Sequence, residues 1–124
     1  MMKSPGRCLS ALTIGGSDSA GGAGIQADIK TFQHFDVHGA SVITCVTAQN
    51  SLGVTHVEPL SCHSVAQQIE AVFSDLVIPA LKTGMLYSPE LVEAVADALR
   101  LFEGSTVVDP VMVSRAGSRL LSGD

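Results

Sequence analysis

Short apolar runs alternate along this chain with segments whose apolar residues recur every three or four positions, which predicts strands and amphipathic helices in turn. The first run, Leu9-Ser-Ala-Leu-Thr-Ile14, is bounded by glycine and reads as a buried strand. The stretch GGSDSAGGAG behind it is too rich in glycine to continue that strand and reads as a flexible loop. From there Ile25, Ile29, Phe32 and Phe35 follow helical spacing, so the loop opens into a helix that ends before Gly39. Residues 40–46 are dense in β-branched side chains and predict a second central strand, running out in the polar cluster at residues 47–51. Residues 54–57 predict a short edge strand.

The alternation continues through the second half. Ser64 followed by Gln67 has capping-box spacing, and Val65, Ile69, Val72, Phe73 and Leu76 form the stripe of a second helix. Residues 78–83 predict a third strand, weakened by Pro79 and Lys82 and closed at Gly84-Met85. Ser88-Pro89-Glu90 supplies an N-cap, a first-turn proline and an acid at the positive end of a helix dipole. The stripe Val92, Val95, Leu99 and Phe102 carries that third helix to a stop at Gly104. Residues 106–108 predict a fourth strand ended by Asp109-Pro110, and Leu120-Leu121-Ser122 has the look of an approach to another helix with Ser122 as its N-cap.

Strands alternating with helices predict an α/β fold, with right-handed crossovers onto a mostly parallel sheet and ligands bound at the carboxyl ends of its strands. That rule directs attention to residues 15–24, 47–51, 84–87 and 109–114.

Composition narrows the class. With 124 residues, 46% of them hydrophobic and 15% charged, residues 1–124 suffice for one small domain with a core. The net charge is −5 and the basic residues Lys3, Arg7, Lys30, Lys82, Arg100, Arg115 and Arg119 are scattered, so no nucleic-acid partner is expected. The apolar stretch behind the basic amino terminus is too short for a signal or a membrane span, which predicts a cytoplasmic protein with no membrane partner. Cys8, Cys45 and Cys62 form no CxxC pair and read as reduced thiols.

Few motifs carry chemistry alone. Gly22-x-Gly24-x-x-Ala27 matches a dinucleotide fingerprint by letter, but the second strand ends in Ala48-Gln49-Asn50 with no acid to hold a ribose. A P-loop is absent, and His34, His38, His56 and His63 fit neither a zinc motif nor a catalytic triad. The glycine loop offers backbone N–H groups beside a helix start, suited to a phosphate or another polar substituent, or it is merely a flexible connection. Asp18 and Asp28 could each bond a ligand hydroxyl, or serve a helix dipole. Gln49 carries donor and acceptor side by side, the pairing an aminopyrimidine needs. Met85 could lie against an aromatic ring or fill the core, and Asp109 could assist magnesium and phosphate or simply end a strand.

Taken together, ALTIGGSDSAGGAGIQADIKTF, SVITCVTAQNSLGV, LKTGML and DPVMVSRAGSRLL closely resemble, in order and spacing, the hydroxymethylpyrimidine/phosphomethylpyrimidine kinases of thiamine biosynthesis. The resemblance spans nearly the whole chain. It implies the three-layer, ribokinase-like α/β fold with a mostly parallel sheet, and ATP-dependent phosphorylation of 4-amino-5-hydroxymethyl-2-methylpyrimidine and then of its monophosphate. By matching positions it implies that Gln49, Gly16, Ala23, Asp28, Met85 and Val111 surround the pyrimidine, with ATP and Mg²⁺ as cofactors and Asp109 toward the metal and phosphates. Members of the family are roughly twice this length, so the expectation is the N-terminal, substrate-binding half of the fold, as a fragment or truncated product. The GTG[CD] anion hole and the catalytic base would lie in the missing half, leaving no catalytic residue here and little turnover. Two other readings stand beside this one: a noncatalytic pyrimidine- or partner-binding remnant, and a pyridoxal kinase-like activity. A half sheet with an exposed edge strand also invites pairing with another chain, of which a homodimer is the simplest case.

Overall fold

A computed structural model describes residues 8–114 and 116–122 of the chain. Along it run β1 (Ser10–Asp18), α1 (Gly24–His34), β2 (His38–Asn50), β3 (Gly53–Pro59), α2 (Cys62–Asp75), β4 (Ala80–Thr83), α3 (Pro89–Ala98) and β5 (Ser105–Val108). The strands form one sheet in the order β3-β2-β1-β4-β5. β1 is central, paired in parallel with β2 and β4, while β5 joins β4 in parallel and β3 returns antiparallel along β2.

Strand alternation sorts the helices into two layers. Leu12, Ile14, Val42 and Leu81 point to one face, where they pack with Val65 and Ile69 of α2 and Leu91 and Val95 of α3. Thr13, between Leu12 and Ile14, points the other way and bonds Asp28 of α1. Helices therefore cover both faces of the sheet, giving the expected three-layer α/β arrangement. Leu12, Ile14, Val42 and Val65 are wholly inaccessible, each worth about 1.5–3 kcal/mol of transfer free energy.

Several boundaries differ from the sequence-based expectation, each for a local reason. β1 does not stop at Ile14 but runs through the glycines to Asp18, with a register shift between Gly15 and Ser17. The bulge lets a strand hemmed between two neighbours continue where any side chain would be crowded: a Cβ on Gly16 would lie 3.1 Å from both the Cys45 and Met85 sulfurs. β2 likewise extends through the polar cluster to Asn50, because β3 supplies its missing partners. α1 does end before Gly39 as expected, at His34. Asp36 adopts φ +57° and the N–H groups of Asp36 and Val37 donate to the carbonyls of Gln33 and Phe32, a Schellman closure with aspartate in the usual glycine place.

The cap of α2 is Ser61, not Ser64: the Ser61 hydroxyl accepts from the Ser64 N–H at 3.0 Å. Leu60 before it and Val65 within the helix both join the same core cluster, a hydrophobic staple that sets the entry of the chain. β4 begins after Pro79, which sits outside the ladder as proline should. α3 starts as expected, with Ser88 capping Leu91 and Pro89 in the first turn, but it ends at Ala98. Phe102 then folds back against Phe73 at 5.6 Å between ring centroids. Gly104 serves a close passage, since a Cβ there would strike Pro79 and Phe102. The helix expected to follow Ser122, the basic segment 1–7 and Arg115 lie outside the described residues. No helix among the described residues is long and apolar enough to cross a membrane.

The two capping serines allow a direct comparison. Ser61→Ala and Ser88→Ala should each lower stability by about 1 kcal/mol, whereas Ser64→Ala should stay within about 0.5 kcal/mol of wild type, as read from urea unfolding.

Candidate functional site

The carboxyl ends of β1, β2 and β4 converge with the start of α1 and residues 109–120 around a cavity of about 260 Å³. Its wall contains Gly16, Ala23, Asp28, Gln49, Met85, Asp109 and Val111. All seven residues singled out from the sequence are thus brought to one place, from five separate stretches of chain.

The glycine-rich segment is held by one side chain. Asp18, 4% exposed, accepts from the N–H groups of Ala20, Gly22 and Ala23 at 2.8–2.9 Å, and its carbonyl accepts from Gly21. Four successive donors are consumed by Asp18 itself. The loop is therefore neither a free run of donors for a phosphate nor a loose connection: a carboxylate of the chain already sits where an anion would. The Gln26 side chain adds a clamp, accepting from the Asp18 N–H and donating to Ser17 Oγ. Gly24, at φ +59°, opens α1, and a Cβ on it would strike the Gly16 carbonyl. Ala23, the N-cap residue, has no polar side chain and α1 has no side-chain cap; Asp18 instead holds the N–H groups of Gly22 and Ala23 just ahead of the helix.

Asp28 lies in the second turn of α1, beyond reach of the helix dipole's positive end. Its Oδ2 accepts from Lys82 Nζ at 2.6 Å and from Thr13 Oγ1 at 2.7 Å. With the pair only about one-quarter exposed, the ammonium neutralises a carboxylate that would otherwise be costly to desolvate. Lys82 itself lines the cavity. Sequence reasoning treated it as a blemish in a strand, yet a lysine inside a short apolar run on a central strand must find an anion or a site, and that was the available signal.

Gln49 is fixed by its backbone. The Ser19 hydroxyl donates to the Gln49 carbonyl at 2.6 Å and accepts from its N–H at 2.8 Å. A register shift between Ala48 and Gln49 in the β2–β3 ladder accompanies this contact. Thr47, on the same face of β2 and 4% exposed, donates to the Ser17 carbonyl at 2.7 Å and lies 3.3 Å from the Gln49 side-chain amide. Met85 is 8% exposed and packs with Cys45, Leu120 and Val111 while also lining the cavity. It is core filler and cavity wall at once, so the two readings of Met85 coincide. Its carbonyl accepts from Thr44 Oγ1 at 2.6 Å. Asp109 ends β5, its N–H donating to the Thr83 carbonyl, with its side chain in the cavity wall.

Cys45 lies beneath Gly16. Burial pushes its thiol pKa up, opposed in part by its hydrogen bond with Thr44, so the group stays neutral and unreactive near pH 7. The described residues contain no cluster of three or more His, Cys, Asp or Glu side chains able to hold a metal ion.

The fold and its cavity define an α/β protein with a small, partly polar cavity at the carboxyl ends of parallel strands. The chain belongs to the phosphomethylpyrimidine kinase family, whose model matches residues 18–124. It is 57% identical to the hydroxymethylpyrimidine/phosphomethylpyrimidine kinase of Rhizobium meliloti over 92% of its own length and 43% of that protein's. The crystal structure of phosphomethylpyrimidine kinase from Clostridium difficile superposes with a TM-score of 0.84 at 50% identity, covering 92% of this chain and 50% of that one. The pyridoxal kinase of Staphylococcus aureus, solved with AMP-PCP and pyridoxal, gives a TM-score of 0.76 at 35% identity, over 86% of this chain and 40% of that one. The chain thus spans less than half the length of the curated relative it matches, and the ribokinase-like fold expected from the motifs is observed over that span.

Two outcomes follow. Replacing Asp18 with alanine removes the shared acceptor of the Ala20, Gly22 and Ala23 N–H groups and should cost about 1–3 kcal/mol, with hydrogen exchange at Gly22 and Ala23 accelerating ahead of the sheet. For Cys45, a thiol whose pKa is raised on folding loses its proton first in the unfolded chain. The stability due to the neutral thiol is complete below the ordinary thiol range and is lost as pH rises through and beyond about 9. Urea midpoints between about pH 7 and pH 10 should fall more steeply for wild type than for Cys45→Ala.

Proposed function

We propose that this chain forms the pyrimidine-binding part of an ATP-dependent hydroxymethylpyrimidine/phosphomethylpyrimidine kinase acting in thiamine biosynthesis, in the cytoplasm. The observation that carries the reading is the convergence of Gln49, Met85, Val111, Gly16, Ala23 and Asp28 on one small cavity. Drug-sized ligands occupy roughly 300–1,000 Å³, so a cavity of about 260 Å³ suits a single substituted ring. In this reading the Gln49 amide pairs with the ring nitrogen and exocyclic amine, while Met85 and Val111 lie against the ring. Gly16 and Ala23 leave room for the ring because neither carries a bulky side chain. Asp28 hydrogen-bonds the hydroxymethyl group, and its bond from Lys82 holds it in place.

Among the described residues, the cavity wall carries Asp18, Asp28 and Asp109 against Lys82. Asp18 is occupied by backbone donors and Asp28 by Lys82, which leaves Asp109 as the acid available to a cation. Mg²⁺ is commonly held by one or two carboxylates together with substrate phosphates, and a single acid at a strand end fits that mode. When bound, the ion would neutralise charge on the transferring phosphoryl group; Asp109 would hold it and Lys82 would add positive charge nearby.

Calorimetry with 4-amino-5-hydroxymethyl-2-methylpyrimidine tests the reading. Wild type should bind, and Gln49→Ala should weaken binding about ten- to a hundredfold, the range for removing a paired polar recognition group. Unaltered affinity in the variant would sink the assignment of Gln49. ATP-dependent turnover by the 124 residues alone is expected to be absent, because transition-state charge stabilisation depends on groups outside them. The likeness to pyridoxal kinases favours one competing ligand, so pyridoxal belongs in the same titration: tighter binding of pyridoxal than of the pyrimidine would reverse the preference proposed here.

A further inference from the structure

We propose that Ser17 is a ligand-binding residue that donates its hydroxyl proton to a lone pair of the bound molecule, and that Gln26 is the positioning residue that keeps this proton free. The inference rests on the pyrimidine reading above for the identity of that molecule. A backbone group fixes the order of bonds. The Asp18 N–H can only donate, so the end of the Gln26 amide that meets it at 2.8 Å is Oε1. The other end, Nε2, therefore faces Ser17 Oγ, also at 2.8 Å, and an amide NH₂ only donates. Ser17 Oγ accepts in that bond, and its own proton has no acceptor among the described residues. Ser17 is half-buried near the end of β1 and lines the cavity, whereas Gln26, in the first turn of α1, is not part of the wall.

Most other polar side chains of the wall are acceptors or already engaged. Asp18, Asp28 and Asp109 only accept when ionised, Thr47 gives its proton to the Ser17 carbonyl at 2.7 Å, and Lys82 is bonded to Asp28. A hydroxymethylpyrimidine, by contrast, is rich in lone pairs, on its ring nitrogens and on its hydroxymethyl oxygen. With Gln49 meeting one ring nitrogen, lone pairs remain for a second donor, and Ser17 supplies it. Gln26 sets that donor character from outside the cavity. A glutamate in its place would still take the Asp18 N–H, but an ionised carboxylate has no proton to give Ser17 and would draw the hydroxyl proton to itself. Ser17 would then turn only oxygen lone pairs toward the ring.

Calorimetry on the full chain with 4-amino-5-hydroxymethyl-2-methylpyrimidine, at about pH 8 so that an introduced glutamate is ionised, supplies the first arm. Ser17→Ala should weaken binding about three- to tenfold, the range for one neutral hydrogen bond, and Ser17→Thr, which keeps the hydroxyl, should stay near wild type. Gln26→Glu should weaken binding about tenfold or more when Ser17 is present, but by less than about twofold when Ser17 is already alanine. Unchanged affinity in Ser17→Ala overturns the proposal. So does an equal loss from Gln26→Glu in both backgrounds, the result of mere damage to the start of α1. The ring with methyl in place of hydroxymethyl locates the acceptor: an effect of Ser17→Ala that persists assigns it to a ring nitrogen, one that vanishes to the hydroxymethyl oxygen. A second arm needs no ligand and no Gln26 variant. In nuclear magnetic resonance spectra a Gln26 side-chain NH₂ proton should move upfield in Ser17→Ala as its acceptor is lost; a signal that does not move overturns the proposal. Failure of wild type to bind the pyrimidine counts against the pyrimidine reading instead, and the same variants then decide the role of Ser17 with pyridoxal.

Discussion

The buried carboxylate of Asp18 is the constraint on which the site depends. A charge this well covered must be met by hydrogen bonds, and every partner it has comes from the backbone that follows it. Satisfying Asp18 therefore shapes residues 20–23, which in turn sets where α1 begins and where Ala23 meets the cavity. Ser19, carried in the same turn, reaches across to the Gln49 backbone. One carboxylate thus ties the end of β1, the start of α1 and the end of β2 into a single wall.

A second polar knot lies beneath that wall. Thr13, Asp28 and Lys82 come from β1, α1 and β4, and their mutual bonds lock a helix to the sheet through charge rather than through apolar packing. Such a pair contributes little net stability once desolvation is counted, but losing either partner leaves the other exposed to a poorly hydrated surround. Its placement beside the cavity holds the Asp28 carboxylate in a fixed direction. No buried side-chain nitrogen or oxygen among the described residues lacks a partner, so the polar interior is fully satisfied without any ligand.

The family relationship and the geometry bear on different parts of the functional reading. Family membership connects the chain to phosphorylation chemistry, whereas the proposed roles of Gln49, Met85 and Asp109 rest on the cavity they line. The outer strand β5 offers Val107 and Val108 at 64% and 67% exposure, a surface more apolar than a sheet edge facing only water normally keeps.

Much of the architecture was legible because it follows from periodicity. Apolar spacing located five strands, the short edge strand among them, and three helices, and the rule that ligands gather at strand carboxyl ends pointed to the four segments that now surround the cavity. Family motifs nominated Gln49, Gly16, Ala23, Asp28, Met85, Val111 and Asp109, and folding brought all seven to one place. What sequence could not reveal was the pairing of polar groups. Whether the glycine segment is loop or strand depended on neighbours that crowd out side chains at Gly16; whether its donors are free depended on Asp18 turning back on itself. Ser61 displaced Ser64 as a cap because Leu60 and Val65 reach the same core. Lys82 and Thr47 acquired meaning only beside Asp28, Ser17 and Gln49. Hydrophobic periodicity is a local property that a single chain displays along its length, but a hydrogen bond between residues thirty or more positions apart exists only once the sheet has brought them within 3 Å.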